Sequence, residues 1–243
     1  MSFVSELQTL YHLAIAPVRG RDHGERLESF YAGQARGYDA FRAHLLQGRQ
    51  ELYRRLAIPE GGVWIEMGGG TASNLEYLGE GLRRLRVVHV VDLSRSLLAI
   101  ARERSAAHEW TNVRTHHQDV TLFELSGQKA DVVVFSYSLT MIPDWFAALE
   151  NACKLLKPGG TLAVVDFHVA RKYPAPGYER HSWLTRTFWP VWLGLDNVFP
   201  NPDHVPYLHR YFETIFFSER RARMRYFPLA RVPYYLYVGR LPV

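Results

Sequence analysis

At residues 63–72 the chain reads Val63-Trp64-Ile65-Glu66-Met67-Gly68-Gly69-Gly70-Thr71-Ala72, an apolar run followed by a glycine-rich turn. The run predicts a buried strand, and the residues from Ser73 onward predict a helix. Glycine accepts positive φ and lets a ligand approach the backbone closely, while a helix N-terminus offers unpaired N–H groups. The stretch therefore predicts a nucleotide-like ligand at the carboxyl end of a strand in an open α/β sheet.

Predicted strands and helices alternate beyond this turn. Strands are expected at 87–91, 113–117, 131–136 and 161–167, with helices at 94–108 and 144–156. Lys157-Pro158-Gly159-Gly160 predicts a helix stop and a tight turn. Two closing strands are expected at 213–218 and 234–239, joined by the basic run 220–225. The pattern predicts an α/β fold with a mostly parallel, seven-stranded sheet and helices on both faces.

Two regions differ from this alternation. Residues 1–60 read as an N-terminal helical cap, in which 43–53 carry apolar residues at three- and four-residue spacing. The main domain then spans 61–243 and includes an insertion after the fifth strand, at about 170–210, where Pro and Gly surround an aromatic stretch. We expect this insertion on the acceptor side of the site.

Composition narrows the class of protein. The chain has 243 residues, of which 47% are hydrophobic, enough for one α/β domain with elaborations. The single cysteine, Cys153, excludes a disulfide framework and offers no metal-ligand spacing, so no metal and a cytoplasmic location are expected. The net charge of +5 with many aromatics suits an anionic surface, although a mildly basic soluble enzyme has the same balance.

Acids follow the second and third predicted strands. Asp92, next to Leu93, can accept hydrogen bonds from both hydroxyls of a ribose, or it is an N-cap-like acid before the next helix. Asp119 and Val120 suit the amino group and ring of adenine, although an Asp before a turn also bonds its own backbone. A dinucleotide site would place its third glycine at position 73, which is Ser73.

The turn fits the frame E-x-G-x-G-x-G with Ala72 in the last place. With Asp92, Asp119 and the 156–160 turn, it resembles the class I S-adenosylmethionine-dependent methyltransferases over roughly residues 60–170. The resemblance implies a Rossmann-like fold, S-adenosylmethionine as cofactor, and a fourth-strand end that lies against the methionine arm and faces the acceptor. The implied cofactor contacts are Glu66, Gly68, Gly70, Asp92, Leu93, Asp119, Val120 and Ser136. The boxes of nucleic-acid base methyltransferases are missing, so no nucleic-acid partner is expected.

The flanking segments 30–42, 45–49 and 233–240 resemble the betaine-lipid methyltransferases. That resemblance implies successive N-methylation of diacylglyceryl-homoserine to diacylglyceryl-trimethylhomoserine. It also makes Tyr31 and Tyr38 candidate aromatic walls near the cofactor sulfonium, and Arg42 a candidate partner for the cofactor carboxylate. Alternatively, Tyr31 and Tyr38 are seven residues apart and form one apolar helix face.

Candidates for holding the acceptor are Tyr137, Asp166, His168 and His209, although a buried histidine bonded to a backbone carbonyl is commoner. The aromatic stretch 183–192, with Arg180, Arg186 and the run 220–225, suits peripheral contact with the anionic inner membrane surface. The alternative is a lid helix whose aromatics line the acceptor pocket or the core.

Three functions follow from these patterns. The first is N-methylation of a lipid-borne amine, with a lipid substrate that carries an amino-acid head group. The second is a methyltransferase acting on a soluble small molecule or a quinone ring. The third is a non-catalytic S-adenosylmethionine-binding module whose basic surface engages RNA or protein.

Overall fold

The computed structural model describes residues 23–32, 45–223 and 231–243, and in the first of these ranges side chains only for 24–29. Tyr38 and Arg42 lie outside the described residues, as does the side chain of Tyr31. Their predicted cofactor contacts therefore stay predictions.

A seven-stranded sheet forms the centre of the described structure. Its spatial order is β3-β2-β1-β4-β5-β7-β6, with β1 to β5 parallel and β7 antiparallel to both β5 and β6. The order confirms the predicted mostly parallel sheet, with an antiparallel edge. The strands are β1 Val63–Met67, β2 Val87–Asp92, β3 Val113–His117, β4 Ala130–Ser136, β5 Leu156–Phe167, β6 Glu213–Arg223 and β7 Arg231–Arg240.

Helices cover both faces of the sheet. They are α1 His23–Ala32, α2 Arg49–Arg54, α3 Arg95–Ala107, α4 Trp145–Leu155, α5 Trp183–Gly194 and α6 His204–Tyr211. Alternate residues of β1 point to opposite faces: Trp64 packs with α2, α3 and α5, whereas Ile65 packs with α4 and α6. Every residue of β1 is buried because it is a central parallel strand covered on both sides.

The predicted helix stop is confirmed, since α4 ends at Leu155, but residues 157–160 belong to β5 as a bulge and not to a turn before it. Ala130 of β4 pairs with Leu156, but Val132 pairs with Thr161, so the four residues between them bulge out of β5. Gly159 has a φ of 75°, the left-handed geometry that glycine accepts readily.

Three local predictions were wrong. Residues 73–84 form 3-10 turns rather than an α-helix, because Gly79 (φ 53°, ψ −137°) interrupts them. The helix predicted at 43–53 is interrupted at Gly48 (φ 86°) and resumes only at Arg49. Residues 220–223 belong to β6 and do not connect the closing strands.

The insertion is more regular than its sequence indicated. It contains α5 and α6, which pack on opposite faces of the sheet. Helix α5 begins at a sequence-local signal, since the Ser182 hydroxyl accepts a hydrogen bond from the Thr185 N–H.

Candidate cofactor and acceptor site

A cleft of about 830 Å³ lies at the carboxyl ends of β1, β2 and β4. Parallel strands end at the same edge of a sheet, so residues distant in the chain converge there. Eight of the predicted site residues line this cleft: Gly68, Gly70, Asp92, Leu93, Asp119, Val120, Ser136 and Tyr137.

The glycine turn forms the floor of the cleft. Gly68 and Gly70 have φ of 68° and 54°. The N–H groups of Gly68 and Gly69 donate to the Val91 carbonyl at 2.8 and 3.1 Å, so the turn is fastened to β2. This conformation keeps the backbone open to a ligand without a Cβ in between.

We expect Gly68→Ala to lower the free energy of unfolding by about 1–3 kcal/mol more than Gly61→Ala. Both glycines have similar positive φ, 68° and 64°, so both substitutions strain the backbone alike. A Cβ on Gly68 would lie 2.5 Å from the Ser138 Cβ, whereas one on Gly61 meets no atom within 4 Å. Urea unfolding of both variants measures the difference, and equal losses would contradict the predicted collision.

Asp92 is buried at the edge of the cleft. Its Oδ2 accepts from the Gly70 N–H at 2.9 Å and its Oδ1 from the Ser94 N–H at 2.8 Å. Burial raises its pKa, which these backbone hydrogen bonds partly oppose. Asp92 therefore both anchors the turn into α3 and presents a carboxylate to the cleft, so the two readings of this acid are compatible.

Asp119 also bonds its neighbouring backbone and lines the cleft at the same time. Its Oδ1 accepts from the N–H and the hydroxyl of Thr121, both at 2.8 Å. Together with the buried Val120 it lines the far end of the cleft, where the sequence predicted the adenine.

Glu66 does not line the cleft. Its Oε2 accepts from the Tyr53 hydroxyl and its Oε1 from the Trp64 Nε1–H, both at 2.6 Å. Burial raises the pKa of Glu66 to about 7, although both hydrogen bonds oppose the shift. The expected direct cofactor contact is corrected: Glu66 supports the turn from behind and joins α2 to β1.

Part of the cleft wall comes from α1 and from residues around the start of α2, which the sequence pattern did not indicate. Leu27, Leu46 and Arg49 line the cleft, and Arg49 is a buried cation. Arg49 donates from Nη1 to the Asn74 Oδ1 and from Nε to the Leu46 carbonyl, both at 3.1 Å. The segment 45–49 had been singled out by resemblance, so a signal for Arg49 existed.

Helix α1 is fastened across the N-terminus of α3 through Glu28. The Glu28 carboxylate accepts from the Ser94 hydroxyl at 2.9 Å, from the Ser96 N–H at 3.3 Å and from the Ser96 hydroxyl. Burial works against ionisation of Glu28, yet these hydrogen bonds keep its pKa below the ordinary value. The contact places Leu27 of the same helix over the cleft.

Ser136 and Tyr137 end β4 at the cleft, as predicted. The Ser136 Oγ is buried and has no hydrogen-bond partner among the residues that the structure describes. The Tyr137 hydroxyl donates to the Gln47 carbonyl at 2.6 Å, and its ring lies 4.7 Å from the Phe167 ring. Tyr137 thus offers the cleft a ring, while its hydroxyl is already engaged.

Asp166 lies beneath the cleft and does not line it. Its carboxylate accepts from the Thr140 hydroxyl at 2.6 Å, the Thr140 N–H at 3.0 Å and the Phe167 N–H at 2.8 Å. Burial raises its pKa to about 6. Asp166 holds the 3-10 segment Leu139–Met141, whose Met141 lines the cleft, so the expected acceptor contact is corrected to a positioning one.

His168 and His209 lie elsewhere. His168 bonds through Nε2 to the Glu219 Oε1 at 3.0 Å and packs against Tyr235, on the sheet face opposite Tyr137. With His209 it lines a second cavity of about 730 Å³, which shares no lining residue with the cleft. The prediction that these histidines hold the acceptor therefore has no support in the cleft geometry.

Within the described ranges, no cluster of three or more His, Cys, Asp or Glu side chains is arranged to hold a metal ion. The same ranges contain no helix of the length and apolarity needed to cross a bilayer.

Comparison with known proteins agrees with this geometry. A family described as "Methyltransferase domain" matches residues 65–162. A demethylmenaquinone methyltransferase of Shouchella clausii is 24% identical over 156 residues, which are 56% of this chain and 66% of that protein, just under two thirds of its length.

Solved structures share the fold. The N-methyltransferase NodS from Bradyrhizobium japonicum, in complex with S-adenosylhomocysteine, aligns with a TM-score of 0.58 at 15% identity over 85% of this chain and 98% of its own. The Haemonchus contortus Phospholethanolamine N-methyltransferase 2, in complex with phosphomonomethylethanolamine and S-adenosylhomocysteine, aligns with a TM-score of 0.67 at 15% identity over 93% of this chain and 61% of its own.

The strand order and the solved structures define a class I methyltransferase fold, and the matched methyltransferase domain lies within it at residues 65–162. The residues that line the cleft fit S-adenosylmethionine, the cofactor that the sequence predicts. Asp92 supplies a carboxylate for ribose hydroxyls, Arg49 a buried cation suited to a carboxylate, and Ser136 an unpaired buried hydroxyl.

Proposed function

We propose that this enzyme transfers methyl groups successively to the amino group of diacylglyceryl-homoserine, producing diacylglyceryl-trimethylhomoserine. The observation that carries the proposal is the β4 end of the cleft, where the unpaired Ser136 hydroxyl adjoins the Tyr137 ring and the apolar residues Met141, Ile142 and Pro143. The Ser136 oxygen can accept one hydrogen bond, and the apolar side chains beside it leave room for methyl groups added to an amine.

The cofactor orientation follows from the cleft. With the nucleoside at Asp92 and Asp119, the methionine part extends towards β4, and Arg49 is available for its carboxylate. The bound cofactor supplies a methyl group already activated by its sulfonium, so the chain contributes alignment and exclusion of water.

The acceptor amine must be neutral to react, although a free amino group is mostly protonated at neutral pH. The Ser136 Oγ can accept a hydrogen bond from an amine N–H and thereby orient the lone pair. The amine would release one proton to solvent before each transfer, and S-adenosylhomocysteine would leave after it. The final product would be a permanent cation, which the face of the Tyr137 ring favours.

Two of the three segments that resemble the betaine-lipid enzymes, 45–49 and 233–240, meet beside the cleft. Residues 45–49 supply Leu46 and Arg49 to its wall, and residues 233–240 lie in β7. A Cβ on Gly48 would lie 2.7 Å from the Tyr234 Cε2, so the segments are in close contact. These two segments thus form one continuous part of the molecule, which supports the proposed acceptor.

The test supplies purified protein with methyl-labelled S-adenosylmethionine and diacylglyceryl-homoserine in detergent micelles. Mass spectrometry should show mono-, di- and trimethylated lipid. We expect Tyr137→Leu to lower kcat/KM about 2- to 30-fold relative to Tyr137→Phe, which keeps the ring but loses the bond to Gln47. No labelled lipid would refute the acceptor, and equal rates for the two variants would refute the role of the ring.

A second candidate is methylation of a quinone ring, favoured by the names of the curated relatives. The same assay with demethylmenaquinone in place of the amino lipid distinguishes the two. Labelled menaquinone without labelled betaine lipid would replace the first proposal by the second.

A further inference from the structure

Helix α5 has two unlike faces. Trp189 and Leu193 are buried against the core, whereas Leu184, Phe188, Val191 and Leu195 are exposed by 66%, 46%, 67% and 71%. These four lie at spacings of four, three and four residues, which places them in one stripe along the helix. The stripe, here called the outer stripe of α5, points away from the core on the side opposite Trp189.

This observation refines the expected interfacial aromatics. Trp183 and Phe188 face outward, but Trp189 is buried and Trp192 is partly buried. One face of the stretch 183–192 therefore packs on the core as a lid helix would, and the other is an exposed apolar surface that suits a membrane. The lid and membrane alternatives each describe one face.

Basic residues flank the stripe. Residues 170–195 contain four Arg or Lys and a single acid, Glu179. Lys172 and Arg180 are exposed in the loop that leads into α5, whereas Arg171 is paired with Asp203 and Glu179 with Arg221. An apolar helix stripe with basic residues beside it is the arrangement that lies flat on an anionic membrane surface.

The basic run 220–225 was also expected at the membrane, but its residues Arg220 and Arg221 form ion pairs within the protein. Arg220 forms two hydrogen bonds to the Glu51 carboxylate, at 2.6 and 2.8 Å, and Arg221 pairs with Glu179. These two guanidinium groups hold β6 to neighbouring elements, so Arg220 and Arg221 are engaged within the protein.

Helix α5 is directly connected to the cleft. The Phe199 N–H, just beyond the helix, donates to the Thr140 carbonyl at 2.8 Å, and the neighbouring Met141 lines the cleft. Trp189 and Leu193 share a core cluster with Tyr137 and Met141. A surface that binds α5 is thus held close to the acceptor end.

We propose that the outer stripe of α5, with Lys172 and Arg180, docks this enzyme on an anionic phospholipid bilayer. If the surface serves to bring a lipid acceptor to the cleft, that role rests on the proposed function. Its own measurement needs neither acceptor nor cofactor.

The experiment is cosedimentation of the full chain with vesicles of phosphatidylcholine, alone or mixed with phosphatidylglycerol. The wild type should bind the mixed vesicles more tightly than the neutral ones. We expect Leu184→Ser/Val191→Ser/Leu195→Ser to weaken binding at least about tenfold, because three apolar side chains lose burial. Leu122→Ser, at an equally exposed position outside the insertion (69%), should bind like the wild type.

Lys172→Ala/Arg180→Ala should abolish the preference for phosphatidylglycerol while leaving binding to neutral vesicles unchanged. Calorimetric titration with S-adenosylhomocysteine should give wild-type affinity for every variant, which shows that each is folded. Wild-type protein that stays in the supernatant with both vesicles would overturn the proposal, as would a triple variant that binds like the wild type.

Light scattering of the wild type and the triple variant tests a contact between copies of the chain. If the wild type is a dimer, the triple variant is a monomer and vesicle binding is unchanged, the proposal is overturned, because the stripe then forms that contact. Failure of the proposed function looks different. Diacylglyceryl-homoserine would then stay unmethylated in micelles, while stripe-dependent vesicle binding persisted.

Discussion

Asp92→Ala should weaken binding of S-adenosylhomocysteine by about 1–3 kcal/mol, or about 5- to 150-fold in Kd. The substitution removes the carboxylate expected to accept hydrogen bonds from ribose hydroxyls. It also frees the N–H groups of Gly70 and Ser94, which hold the glycine turn in its ligand-binding shape. Calorimetric titration of the purified variant measures the loss.

Asp131→Ala is the matched control for Asp92. Asp131 is also a strand-end acid that accepts a backbone hydrogen bond, from the Val63 N–H at 2.8 Å, but it lies at the opposite edge of the sheet. Its removal should lower stability without changing Kd. An Asp92→Ala variant with wild-type Kd would refute the ribose assignment.

Glu66→Ala should lower the free energy of unfolding by about 2–5 kcal/mol, because the Tyr53 hydroxyl and the Trp64 indole N–H would remain buried without a partner. Glu66→Gln should cost much less at neutral pH. Its amide oxygen accepts from Trp64, and its NH₂ donates to the Tyr53 oxygen. Chemical unfolding of the three proteins measures both effects.

The same residue makes stability depend on pH. The pKa of Glu66 is about 7 in the folded protein and 4.5 ordinarily, so the folded state keeps a proton that the unfolded state releases. The stabilisation is therefore complete below about pH 4.5 and is lost as pH rises through 7, a change of about 3 kcal/mol.

Relative to Glu66→Gln, the wild type should lose that stability between pH 4.5 and 7.5. Asp166, whose pKa is about 6, titrates in both proteins and cancels in the difference. Stability curves that run parallel for the two proteins over this range would contradict the assigned pKa.

Local sequence pattern predicted the sheet and most of the cofactor side. Strand ends, glycines and acids occur at fixed places along a parallel α/β chain, because each βα unit delivers its strand end to the same edge. This is why the pattern alone indicated Gly68, Asp92 and Asp119, whereas Ser136 followed from the family resemblance.

Pattern did not distinguish acids of different roles. Glu66, Asp92 and Asp166 all follow or end predicted strands, yet Asp92 lines the cleft whereas the other two are bonded behind it. Adjacent residues of a strand point to opposite faces, so a shift of one position moves a side chain from the site to the core. The partner of each acid, which comes from a distant segment, then sets its pKa.

The glycine turn and the alternation of strands and helices were contained in the linear chain, since they depend on residue types at short spacing, and the expected cofactor class followed from the family resemblance of that turn and the acids after it. Contacts across the fold decided the roles of the other side chains. Tyr53 is hydrogen-bonded to Glu66, Arg220 is hydrogen-bonded to Glu51, and Arg49 of α2 lines the cleft. These contacts also turned one side of α5 inward and the other outward. Such assignments depend on burial and on partners far apart in sequence, which no local pattern records.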